Sequence, residues 1–199
     1  MMMVFFLTGC IAMYVPISWD HGERIYNIID KDPLLSALYK RYDPDKLTLR
    51  GPNGFDELMS PFEVKSHLAT YNKTTNVIYI NREVNFTDEQ LKEIIIHEFC
   101  HHIWNIKLDN TTKNKWYAYL RLHPSTIQRL VSLYYPQSNH NIENFAFTVQ
   151  FPQKEDIKEL VTLSILNEEE ANAVLSQMKD EPKYNYWGMG MLDLVKDKQ

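Results

Sequence analysis

The segment His97-Glu98-Phe99-Cys100-His101 limits what this chain can be more than any other part of it. Residues four apart on an α-helix stack on one face, so His97 and His101 can offer imidazole nitrogens to a single ion if the segment is helical. The flanks predict that it is. Thr87-Asp88-Glu89-Gln90 has the form of a capping box, and Leu91, Ile94, Ile95 and Phe99 supply the apolar residues of the helix that follows. Glu98 projects to the side of the histidine pair, where a carboxylate reaches a water on the ion without taking its place. With 7 His in 199 residues, chance would supply on the order of 0.02 such pentads. The only cysteines are Cys10 and Cys100, which excludes a disulfide framework and a four-cysteine zinc site. Cys100 has no base at a readable spacing and reads as a small buried apolar residue.

A metal site needs a folded frame, and the composition provides for one. At 199 residues, with 44% hydrophobic and 13% aromatic residues, the chain suits one globular domain, expected over residues 21–199. A net charge of -5 gives no electrostatic footprint for nucleic acid, so that class of partner is excluded. Residues 1–20 differ from the rest, because the run from Met1 to Ser18 carries no charged residue. Leu7-Thr8-Gly9-Cys10 within it resembles a bacterial lipobox, in which the cysteine receives lipid. We expect a signal or anchor there, possible membrane attachment through the N-terminus, and a place in the bacterial cell envelope. The alternative is a cytoplasmic protein whose apolar N-terminus packs into the domain.

Residues 23–42 carry Ile25, Ile28 and Ile29 at helical spacing. Asp32 and Pro33 then stand as cap and first turn of a second helix bearing Leu35, Leu38 and Tyr39. Residues 43–61, punctuated by Pro44, Gly51-Pro52, Gly54 and Pro61, read as loop. Residues 62–71 and 76–80 read as a hairpin closed by Asn72-Lys73-Thr74-Thr75, with Val77-Ile78-Tyr79-Ile80 as a short strand close to a sheet edge. An extended peptide could add to that edge. The aromatic, Gly-containing run from Tyr184 to Met191 reads as a packed tail. The fold class expected is α+β, mostly helical, with a small sheet before the pentad helix.

Catalytic zinc keeps three protein ligands and an open position, so a third donor is required. Glu143 lies in Asn141-Ile142-Glu143-Asn144-Phe145-Ala146-Phe147-Thr148-Val149, where Ile142, Phe145, Ala146 and Val149 recur at helical spacing. It is the leading candidate. Glu168, Glu169 and Glu170 follow Asn167 in the manner of a capped first turn, and together with His123 and His140 they remain alternatives. Trp104 and Lys107 occupy the positions where a metzincin would extend its motif with Gly and His, which excludes that branch. His102 reads as a surface group or one lying behind the ligands.

With these residues the sequence resembles the gluzincin zinc peptidases, and within them the compact catalytic domains of the anthrax lethal factor and Pro-Pro endopeptidase type. The matching residues are His97-Glu98-Phe99-Cys100-His101, Glu143-Asn144-Phe145-Ala146 and the strand Val77 to Ile80, covering roughly residues 62–150. Cys100 stands where that group usually has glycine, and Phe147 where an acid often follows the alanine. The resemblance implies a zincin-like fold, one Zn2+ held by His97, His101 and Glu143, and a peptide or protein substrate. It also implies that Glu98 is the general base toward a zinc-bound water. A tyrosine about seven residues before the glutamate ligand commonly stabilises the oxyanion. Pro136 has that place here, which leaves the adjacent Tyr135 as the expected donor, with core packing as its alternative role. The runner-up function is a non-catalytic envelope interaction protein that keeps the scaffold.

Overall fold

Asp32 divides the first helical stretch as its position predicts. In the computed structural model, which describes residues 20–42, 48–50, 68–74, 77–80 and 86–178, α1 (Asp20–Lys31) is followed at once by α2 (Pro33–Arg41). The Asp32 carboxylate accepts the Leu35 N–H at 2.8 Å, and Pro33 fills a first-turn position whose N–H would have had no partner. Ile25, Ile28, Ile29, Leu35 and Leu38 are all buried.

The sheet is larger than expected. Thr48–Arg50 forms β1, Ala69–Asn72 forms β2 and Val77–Ile80 forms β3, in the order β1-β3-β2. β2 and β3 are antiparallel, as a hairpin requires, with Asn72 paired to Val77 inside the ladder instead of lying in the turn. The Asn72 side chain accepts the Thr74 N–H at 2.9 Å, the local bond that favours Asn at turns. β1 corrects the reading of residues 43–61 as loop throughout: three residues are too few to show alternation, and their partner lies far along the chain. It also corrects the position of β3, which pairs on both sides and is the central strand, not an edge. Val77, Ile78 and Tyr79 are buried in succession, the pattern of a strand covered on both faces.

After the sheet the described chain is helical: α3 (Asp88–His102), a π-helical turn (Ile103–Lys107), α4 (Asn110–Leu122), α5 (Thr126–Tyr134), a short 3-10 turn (Gln137–Asn139), α6 (His140–Gln150), α7 (Lys154–Thr162) and α8 (Glu168–Gln177). The capping box at Thr87 is complete, with Gln90 N–H donating to Thr87 Oγ1 at 3.2 Å and Thr87 N–H to Gln90 Oε1 at 2.9 Å. One apolar cluster extends from Ile25 to Val174 and draws on helices from both sides of the sheet segment. At its centre Phe145 of α6 lies with its ring 5.3 Å from both Trp104 and Trp116. Burying a side chain of this size contributes about 2–3 kcal/mol, so the cluster locks α6 against the π-helical turn and α4. The architecture is α+β, mostly helical with a small sheet. Among the described residues no helix is long and apolar enough to cross a membrane. The charge-free N-terminal run, Cys10 and the 184–191 stretch lie outside the described residues.

Candidate metal centre

α3 and α6 pack side by side, and the contact brings the histidine pair to Glu143. His97 Nε2 and His101 Nε2 lie 3.2 Å apart, and Glu143 places Oε2 3.4 Å from the first and Oε1 3.8 Å from the second. One ligand atom from each residue falls within 4.8 Å of the others, a group that could hold a metal ion. Two nitrogens bound to one tetrahedral zinc at 2.0–2.1 Å would be about 3.3 Å apart, which the imidazoles nearly match without movement. Glu143 is 7% exposed, and its buried Oε2 accepts no hydrogen bond. A buried carboxylate is costly unless a cation or donor meets it, so the donor set and its geometry fit a divalent ion with N and O ligands.

The electrostatics of the pair follow from this crowding. Burial lowers the pKa of His97, but the Glu143 carboxylate 3.4 Å away and the charge of Glu98 outweigh it and the net direction is up. Burial and the charge of His97 hold His101 well below the usual imidazole range. Two imidazoles at this distance do not both become positively charged. The far nitrogen of His97 is also engaged: Nδ1 lies 3.0 Å from Gln150 Oε1, on the last turn of α6. Phe147, one turn after Glu143, sets its ring edge-on to His97 with centroids 4.4 Å apart. On the partner helix, the Asn105 side-chain amide donates to the His101 carbonyl at 2.8 Å where α3 gives way to the π-helical turn.

Glu98 is buried on α3, with its charge close enough to act on His97, on Cys100 and on the phenol of Tyr135. Tyr135 follows α5 directly and is held there by its N–H bond to Val131 O and by His140, whose Nε2–H donates to the Tyr135 carbonyl at 2.9 Å. Burial, then the carboxylates of Glu143 and Glu98, raise its pKa well above the usual phenol value, so it is a neutral O–H donor at physiological pH. Its ring meets Phe147 at 5.9 Å. The structure therefore gathers His97, His101, Glu143, Glu98 and Tyr135 in one place.

The other candidates are employed elsewhere. His140 is spent on the Tyr135 carbonyl, His123 donates from Nδ1 to the Tyr119 carbonyl at 3.1 Å, and Glu170 caps α8 and pairs with Arg41 at 2.7 Å. Glu168 and Glu169 share that first turn, with the caps that the run predicted. His102 is not at the surface: it is fully buried, stacked on Phe99, with Nδ1 3.2 Å from the Tyr71 hydroxyl, and so ties α3 to β2. Burial raises the Cys100 thiol well above its usual pKa, which fits an inert core residue. Gln150 and Phe147 escaped the sequence reading as site residues. Their signal was their placement after Glu143 on the same helix face, Phe147 four positions on and Gln150 seven. An open depression of about 520 Å³ lies elsewhere, lined by residues that include Arg24, Asp32, Asp88 and Lys92, whose charges largely pair with one another.

No protein-family model matches the chain, and comparison with curated proteins and with solved structures finds none that matches.

Proposed function

We propose that this chain is a zinc-dependent peptide hydrolase of the gluzincin kind, with a zincin-like catalytic domain. The observation that carries the reading is the convergence of His97, His101 and the hydrogen-bond-free carboxylate oxygen of Glu143, with Glu98 next to the first ligand on the same helix. His97, His101 and Glu143 would hold the ion. When bound, zinc supplies a Lewis acid that acidifies water and polarises a peptide carbonyl. The remaining chemistry belongs to the protein. Glu98 accepts the proton that the attacking water gives up and returns it to the departing amine, a transfer that needs a carboxylate and not its amide. The Tyr135 phenol, kept protonated by burial and by two neighbouring carboxylates, donates to the oxygen on which negative charge develops.

The test is Glu98→Gln in the full chain, assayed on a peptide library alongside zinc content. We expect loss of hydrolysis by at least about 100-fold with zinc stoichiometry unchanged. Retained turnover removes Glu98 from the mechanism, and zinc binding by the wild type without turnover on any peptide favours the non-catalytic scaffold. Attachment to a bacterial envelope through residues 1–20 belongs to the same proposal, resting on the charge-free run and on Cys10. Palmitate incorporation abolished by Cys10→Ala supports it, and no incorporation in the wild type counts against lipid anchoring.

A further inference from the structure

We propose that Gln150 is the positioning residue for the first histidine of the centre, and that it does for His97 what a carboxylate does behind many zinc-binding histidines. The inference rests on the metal reading above. A ligand imidazole must give its lone pair to the ion from one nitrogen, and the bond made by the other nitrogen decides which tautomer does so. His97 Nδ1 lies 3.0 Å from Gln150 Oε1, an oxygen that can only accept, so the proton sits on Nδ1 and the Nε2 lone pair faces His101 and Glu143. Gln150 is itself 9% exposed and sits on α6, the helix that carries Glu143. Phe147 completes the arrangement: its edge-on ring at 4.4 Å blocks rotation of the imidazole that the single hydrogen bond would still permit. One face of α6 thus carries a ligand at Glu143, a steric stop at Phe147 and an acceptor at Gln150, spaced one turn apart.

The chemical character of Gln150 has a consequence of its own. Two neutral imidazoles and one carboxylate leave a divalent ion with a net positive charge, and a neutral amide behind His97 preserves that charge. A carboxylate in its place would add electron density to the imidazole and bind the ion more tightly. The residue therefore fixes geometry without adding charge, which suits a site that must keep water acidic.

The experiment measures zinc dissociation constants by competition with a chromophoric chelator for the wild type, Gln150→Leu and Gln150→Glu, with folding checked by circular dichroism. Leucine keeps the bulk without an acceptor, and glutamate keeps the acceptor with added charge. We expect about 10- to 100-fold weaker zinc binding in Gln150→Leu and binding at least as tight as the wild type in Gln150→Glu. Equal affinity of Gln150→Leu and the wild type overturns the assignment, as does equal weakening of both variants, which would mark a packing role. Nitrogen-15 NMR of the metal-free wild type at about pH 9, where the imidazole is neutral, provides a reading that no variant has to fold for. His97 is expected as the Nδ1–H tautomer, and an Nε2–H tautomer refutes the proposal. A wild type that binds no zinc at all removes the metal reading itself, an outcome distinct from failure at Gln150 alone.

Discussion

Replacing Glu143 by methionine should stabilise the metal-free protein and abolish its stabilisation by zinc, reversing the order of the two proteins when metal is added. Glu143 is 7% exposed and its Oε2 has no hydrogen-bond partner, with the nearest imidazole nitrogen 3.4 Å away. Leaving such a buried acceptor unsatisfied costs about 1–3 kcal/mol, and methionine fills nearly the same volume with no polar oxygen. Because Glu143 raises the pKa of His97, a protonated imidazole can relieve the carboxylate near neutrality, so the comparison belongs at about pH 9. There, in chelator, Glu143→Met should melt about 2–12 °C above the wild type for a domain of this size. With free zinc at 100 times its dissociation constant the wild type gains about 2.7 kcal/mol, and the variant, reduced to two ligands, gains little. Differential scanning fluorimetry in chelator and in zinc reads both halves. A variant destabilised by several kcal/mol in chelator would show that the carboxylate is a structural acceptor. Equal stabilisation of both proteins by zinc would remove Glu143 from the ligand set.

Tyr135→Phe should lower kcat about 10- to 1,000-fold with KM little changed, since its hydroxyl is assigned to charge that appears after binding; a pure rise in KM in steady-state kinetics contradicts that role. Tyr42, whose hydroxyl donates to the Ile165 carbonyl at 3.3 Å, has its pKa raised by burial to about 12, so its contribution is intact below pH 10 and is lost as pH rises toward 12. In urea denaturation the wild type should lose up to about 2 kcal/mol relative to Tyr42→Phe across that window, after allowance for partial exposure, and parallel pH profiles would refute the shift. Tyr79→Pro should unfold the domain by circular dichroism and not merely impair catalysis, because Tyr79 is 6% exposed and pairs with Arg50 on one side and Thr70 on the other. A folded Tyr79→Pro protein would contradict the central position of β3.

The features legible in the sequence were those encoded over a few neighbouring positions. The Thr87 capping box, the Asp32-Pro33 break and the Asn167 cap are each local hydrogen-bond patterns, and each has the predicted partner. The stripe of Phe145, Ala146 and Val149 likewise faces the core. What the sequence hid was pairing across distance. β1 is three residues long and acquires its identity only from β3, and without it β3 looked like an edge. His102 was assigned by rotation about the helix alone, but the apolar surroundings of α3 extend further around it than one stripe, with Phe99 on one side and Tyr71 of β2 on the other. Gln150 was invisible for the same reason, since a polar residue at a helix end has no meaning until a histidine 53 positions earlier stands opposite it.

The pentad helix and α6 are joined by a chain segment that contains α4, α5 and Tyr135. An ion held by His101 at one end of this segment and Glu143 at the other would tie a loop of roughly 40 residues, as a covalent bridge does. By chain-entropy reasoning a bridge of that span withdraws about 4 kcal/mol of freedom from the unfolded chain. The loop so closed is the part of the protein that presents the Tyr135 phenol. Extracting the metal would therefore slacken one wall of the site as well as emptying its centre, and a protease added with chelator should cut first between α4 and α6.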